Sequence, residues 1–304
     1  MSDPAMTMQE APAAEQREPG KDANRSLWGD AWYELKRNPI FWVASVMAIF
    51  VVLLAVFPFL WTNADPGTCR LANSREKPSA DHWFGYTFQG CDMWAKVVYG
   101  ASKSLAVAVL ATTFTTTIGI TMGTLAGFFP GWVDTIISRV TDIFFGLPFL
   151  LGAVVFLQLF QIRNVWTITA VLTLLGWTTL TRIMRGSVLS TKNKDYVDAA
   201  RALGATNGHI VFKHILPNAI APVFVLSTIA LGGYIGAEAT LTFLGVGFQQ
   251  PNTTWGLLIQ EGQPYALQGY PHLLVIPCAF VVVTVLAFIL LGDALRDALD
   301  PRNR

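Results

Sequence analysis

The chain has 304 residues, 53% of them hydrophobic and only 13% charged, with a formal net charge of +1. A soluble domain carries about 25% charged residues, so a water-soluble globule is excluded and an integral membrane protein is indicated. Near-neutral charge gives no electrostatic footprint for a nucleic-acid partner, and three cysteines and four histidines in no ligand spacing offer neither a disulfide scaffold nor a metal or cofactor site.

Residues 1–25 are rich in Ala, Pro, Glu and Gln without an apolar period, which predicts a disordered tail. They lack the apolar core of a cleavable signal. In residues 26–39, Leu27, Trp28, Ala31, Trp32 and Leu35 fall on one helical face, the pattern of an amphipathic helix lying at the membrane interface. Residues 40–304 then read as one all-α domain. Apolar stretches at about 40–61, 104–129, 143–161, 165–181, 215–237 and 273–292 are near the roughly 20 residues a bilayer crossing needs. The second carries Gly119, Gly123 and Gly127 at every fourth position, a spacing that lets another helix approach closely. The third contains Pro148.

Basic residues set the expected orientation. With both termini cytoplasmic, the inner segments hold 15 Lys and Arg and the outer loops 6, as the positive-inside rule requires. Residues 62–103 and 238–272 become outer loops, the latter free of Lys and Arg, and residues 182–214 become the central cytoplasmic loop. Cys69 and Cys91 share the first outer loop, where oxidation is permitted. A bridge and a pair of free thiols are both open there.

None of the six stretches contains Asp, Glu, Lys, Arg or His, whereas ion-coupled pumps rely on intramembrane ionisable groups. No GxxxxGK[ST] loop, HExxH or GxSxG is present, so neither ATP hydrolysis nor an embedded hydrolase is expected. A pathway without its own energy source implies an external motor. A self-powered transporter or channel, and a membrane anchor for an assembly, are the competing classes.

The motor's grip is expected at Asp195–Asn218. Tyr196, Val197, Ala200 and Leu203 recur at helical spacing, Gly204 offers a left-handed stop, and Thr206 or Asn207 can cap a second short helix. Pro217 is expected to close that helix by disfavouring helical geometry at Leu216. The run Asp198-Ala199-Ala200, three residues, Gly204, nine residues, His214, then Leu216-Pro217 resembles the Glu-Ala-Ala loop of ABC-importer permeases. Asp198 stands for the family's Glu and His214 for its Ile. The Ala237–Gly256 stretch, with Phe243-Leu244-Gly245 and Trp255-Gly256, and the terminal run Leu290–Arg304 are similar to the C-type permease of dipeptide and oligopeptide importers. Residues 26–39 resemble that subunit's N-terminal segment.

The resemblance implies a type I importer permease in a bacterial or archaeal cell membrane. It implies a second homologous permease, two ATPase subunits (or one fused pair) and an external substrate-binding protein as partners, with peptides as cargo and glutathione, nickel chelates or haem-like compounds as alternatives. Asp198, Ala199, Ala200, Gly204, His214, Leu216 and Pro217 would transmit the motor's stroke. Phe243, Leu244, Gly245 and Trp255 are candidates for the outer gate or the binding-protein contact.

Overall fold

Asn38 starts the first crossing: its side chain accepts the Ile40 N–H at 2.9 Å, and Pro39 sits in the first turn, where its missing N–H costs nothing. The computed structural model to which this geometry belongs describes residues 27–299, so the expected tail at 1–25 and residues 300–304 lie outside the described residues. Helix α1 is Leu27–Arg37 and α2 is Pro39–Val56. Leu35 of α1 is buried against Ala294 and Ala298, near the end of the last helix, α12 (His272–Leu299). Trp32, on the same face, remains half exposed and meets Phe41 edge-on.

Helix α3 runs Met93–Phe128, so the helix begins at Met93, ahead of the stretch expected from Ser104. Asp92 caps it, accepting the Ala95 N–H at 2.8 Å. At about 1.5 Å per residue the helix is some 54 Å long and outreaches a hydrocarbon core of about 30 Å. Lys96 and Lys103, expected in a loop, lie on this extension, and Lys103 Nζ donates to Asn252 Oδ1 at 2.7 Å.

The expected third span, 143–161, is not one helix. Helices α4 (Trp132–Phe145) and α5 (Phe149–Gln158) meet at a bend of 84°. Pro148 supplies the cause: it cannot continue the hydrogen-bond ladder and pushes Leu147 out of helical geometry. Helix α6 runs Val165–Lys192, well past the expected end at Thr181. Its charged last turns are satisfied by partners: Asp142 for Arg182, Asp134 for Arg185, and the Phe128 carbonyl for Lys192.

The glycine stripe packs α3 against α6. A Cβ on Gly119 would stand 2.6 Å from Leu180 Cβ, on Gly123 2.5 Å from Met184 Cβ, and on Gly127 2.8 Å from Val188 Cβ. These distances are too short for any side chain, so the backbones touch as small-residue spacing predicts.

After the central segment, α10 spans Ala221–Phe243 and α11 spans Trp255–Ala266 before α12. The fifth long apolar helix is therefore displaced from the expected 215–237, and residues 238–272 are not a continuous loop. Among the described residues, five helices (α2, α3, α6, α10, α12) are long and apolar enough to cross a membrane, and the bent pair α4–α5 makes a sixth if it counts as one span.

Residues 62–92 fold over the start of α3, where Cys69 and Cys91 form a disulfide. Closing a loop of 22 residues stabilises this segment by about 3 kcal/mol in the chain-entropy account. Cys69→Ser should lower the thermal midpoint of the purified protein under non-reducing conditions and leave the reduced protein's midpoint unchanged.

Candidate functional site

Helix α7 is Asp195–Ala202. Its end is built as the sequence requires: Gly204 takes φ +82°, its N–H reaches the Arg201 carbonyl at 3.0 Å, and the Ala205 N–H reaches the Ala200 carbonyl at 3.1 Å. That pair of bonds is a Schellman stop. Thr206 opens the second piece, accepting the His209 N–H at 3.4 Å. The chain continues through α8 (Asn207–His209), a π-helical turn Ile210–Ile215, and α9 (Leu216–Ala219).

Pro217 does not end this helix. Leu216 keeps helical geometry at φ −57°, ψ −47°, and the helix passes through Pro217 to Ala219. The wider π turn just ahead relieves the clash and the lost hydrogen bond that a proline ring imposes on an α-helix.

One face of the segment is held firmly. Val197, Ile210, Ile215 and Ala219 are fully buried against Phe128 of α3 and Leu180, Met184 and Val188 of α6. Ser187 Oγ donates to the Ala219 carbonyl at 2.8 Å. His214 sets its ring at a tilt to Tyr196 (6.4 Å between centroids) and His209 (5.6 Å), so it joins the two short helical pieces. Partial burial raises the Tyr196 phenol above its ordinary pKa. The other face is open: Leu203 is 89% and Phe212 73% exposed. Asp198, Ala199 and Pro217 are exposed, while Ala200 and Leu216 are half-buried. Asp198 pairs with Arg201 at 2.8 Å on its own helix, an exposed contact worth about 0.3–0.5 kcal/mol. Sequence reasoning placed Leu203 among the residues at helical spacing and missed its exposure and that of Phe212.

At the other end of the molecule two expectations change. Glu238 is not in a loop: it lies within α10, fully buried, accepting Thr242 Oγ1 at 2.9 Å, with the hydroxyls of Ser104 and Thr254 beside it. The expectation that the spans hold no ionisable residue is therefore corrected at Glu238, which lies on the candidate span α10, while Arg182 and Arg185 lie where α6 continues beyond the expected 165–181. Trp255 is not an exposed aromatic. It is fully buried and donates its indole N–H to the Val97 carbonyl at 2.9 Å, so no partner can reach it. Phe243 and Leu244 remain 37% and 56% exposed, and Gly245, at φ +79°, offers its carbonyl to Arg163 at 3.0 Å. Trp255→Ala should cost about 3–5 kcal/mol as a core truncation. The measurable outcome is a lower yield of monodisperse protein after detergent extraction.

The family model described as "Binding-protein-dependent transport system inner membrane component" matches residues 119–304, and that for the N-terminal TM domain of oligopeptide transport permease C matches residues 26–75. The oligopeptide transport system permease protein OppC of Bacillus subtilis (strain 168) is 37% identical over 279 residues, 92% of this chain and 91% of that protein. This chain belongs to the inner-membrane permeases of binding-protein-dependent ABC importers. Other relatives are the dipeptide permease DppC of the same organism, 38% identical over 93% of this chain and 88% of that protein, and the glutathione permease GsiD of Pectobacterium atrosepticum, 33% identical over 91% and 92%. A solved methionine ABC transporter, MetNI, matches with TM-score 0.57 at 23% identity, covering 68% of this chain and 98% of that one, and shares the fold. The permease is thus a multi-pass inner-membrane protein, and the Asp195–Asn218 segment is placed on a family scaffold built for transport.

Proposed function

We propose that this permease forms half of a translocation path for short peptides, driven through Asp195–Asn218 by ATPase subunits on the cytoplasmic side. The observation that carries the reading is the two-faced segment. Its buried face is fixed to α3 and α6, while Leu203 and Phe212 are left uncovered by this chain and offer apolar contact to a partner. Asp198 adds a charge that a basic or donor group on the ATPase can share. Oligopeptide and dipeptide relatives support peptide cargo, and the glutathione relatives favour a second reading in which the cargo is that modified tripeptide.

Both termini and Asp195–Asn218 would face the cytoplasm. The Lys and Arg distribution supports this, and so does the Cys69–Cys91 bridge, which suits the oxidising side. A homologous second permease and an external binding protein would complete the assembly, the latter meeting the disulfide-bearing end near Phe243, Leu244 and Gly245. The test is uptake of labelled di-, tetra- and hexapeptides and glutathione into vesicles holding the full assembly. Uptake should require ATP, the ATPases and the binding protein. Uptake by the purified permease alone without ATP would overturn the reading.

A further inference from the structure

Helix α6 reaches the Asp195–Asn218 segment without a break, and two ion pairs fix α4 to its last turns. Arg185 grips Asp134 with both prongs, Nε to Oδ1 at 2.6 Å and a terminal nitrogen to Oδ2 at 2.7 Å, and Ser138 Oγ donates to the same carboxylate at 3.2 Å. Two turns along α4, Arg182 meets Asp142 at 2.7 Å. The same guanidinium lies 4.0 Å from the ring centre of Phe145, the last residue of α4. Immediately beyond Phe145 comes the 84° break at Gly146–Pro148.

The two surfaces of α6 are held differently. Toward α3 the glycine stripe gives backbone contact from Leu180 to Val188, with no room for slippage. Toward α4 the hold at this level is polar, and planar two-point pairing of a guanidinium with a carboxylate fixes orientation as well as distance. The Arg185–Asp134 pair is the better covered of the two, its side chains 36% and 23% exposed, while Arg182 and Asp142 are about half exposed. An apolar α4–α6 seam would have packed the helices without them.

We propose that Asp134, Arg185, Asp142 and Arg182 are positioning residues of the transport cycle: they make α4 move with α6, so that displacement of the coupling segment is delivered to the break at Gly146–Pro148 and opens or closes the third span there. The inference rests on the proposed function, and it assigns to these residues transmission rather than contact with cargo or ATPase.

The experiment uses the full assembly in vesicles, with a Cys278→Ser background so that the Cys69–Cys91 bridge is the only other sulfur pair. Asp134→Cys/Arg185→Cys is measured before and after reaction with a short bifunctional thiol reagent, and with a monofunctional reagent as control. Uptake should fall at least tenfold in the unreacted pair while ATP hydrolysis continues, and should recover to within about twofold of the starting background once α4 and α6 are joined. The exchange Asp134→Arg/Arg185→Asp should likewise recover uptake lost by Arg185→Asp alone. Unimpaired uptake in the unreacted pair, block of uptake by the cross-link, or no recovery after it would each overturn the proposal. Absence of ATP-driven uptake in the unaltered assembly would count against the proposed function instead.

Discussion

Gly123→Leu should remove the folded permease from the membrane altogether. The added side chain would start 2.5 Å from Met184 Cβ, 2.7 Å from the Thr181 carbonyl oxygen and 3.0 Å from the Arg185 backbone nitrogen. Two of those three neighbours are backbone, so no rotamer change can make room. The helices must separate, and Gly119 and Gly127, one turn on either side, lose their contacts with Leu180 and Val188 at the same time. Ordinary overpacking costs about 1–3 kcal/mol, and here it falls on the most extensively contacting helix pair among the described residues. The readout is the amount of monodisperse protein recovered after detergent extraction. Gly186→Leu, at a glycine with nothing within 4 Å of its added Cβ, should be recovered at the unaltered level. Equal recovery of both variants would contradict the seam.

Gly204→Val has a different expected outcome: the protein reaches the membrane, hydrolysis by the assembly continues, and the binding protein no longer stimulates it. A Cβ at Gly204 meets nothing within 4 Å, so there is no clash to unfold the chain. The penalty is conformational, because φ +82° costs an L-residue about 1–2 kcal/mol and a β-branched one more. Relaxing that strain breaks the Schellman bonds to Ala200 and Arg201 and turns α7 relative to α8. Val197 and Ile210, buried on either side of the turn, keep each helix attached, so the loss is of relative position. Hydrolysis is measured in vesicles with and without loaded binding protein. Gly204→Ala should lie between the two, since its strain is smaller.

Local chemistry was readable from the sequence except at Pro217, whose expected helix stop the π turn ahead of it removes, and long-range pairing was not readable. The stop at Gly204, the cap at Thr206 and the glycine stripe each follow from residues within one or two turns, and the structure builds them as the sequence implies. Span boundaries fared worse for one physical reason. Hydropathy treats Lys103, Arg182, Arg185 and Glu238 as exposed to hydrocarbon and ends a span before them. In the fold, the first three are met by Asn252, Asp142 and Asp134, distant in sequence, and Glu238 by Thr242 one turn away. Helices α3, α6 and α10 therefore run further than their apolar cores. Trp255 misled in the opposite direction: an aromatic in a polar neighbourhood reads as exposed, yet the Val97 carbonyl satisfies its indole inside the bundle. With Glu238 inside a span, the case against a self-powered transporter rests on family membership rather than on missing charge.

The claim that an ATPase grips Asp195–Asn218 is tested most directly by a photoreactive residue in place of Leu203, which is 89% exposed, in the assembled complex. A second sample carries the same residue in place of Leu267, which is 100% exposed between α11 and α12. Illumination should join the Leu203 position to an ATPase subunit and leave the Leu267 position without that adduct. An ATPase adduct at Leu267, or none at Leu203, would contradict the account.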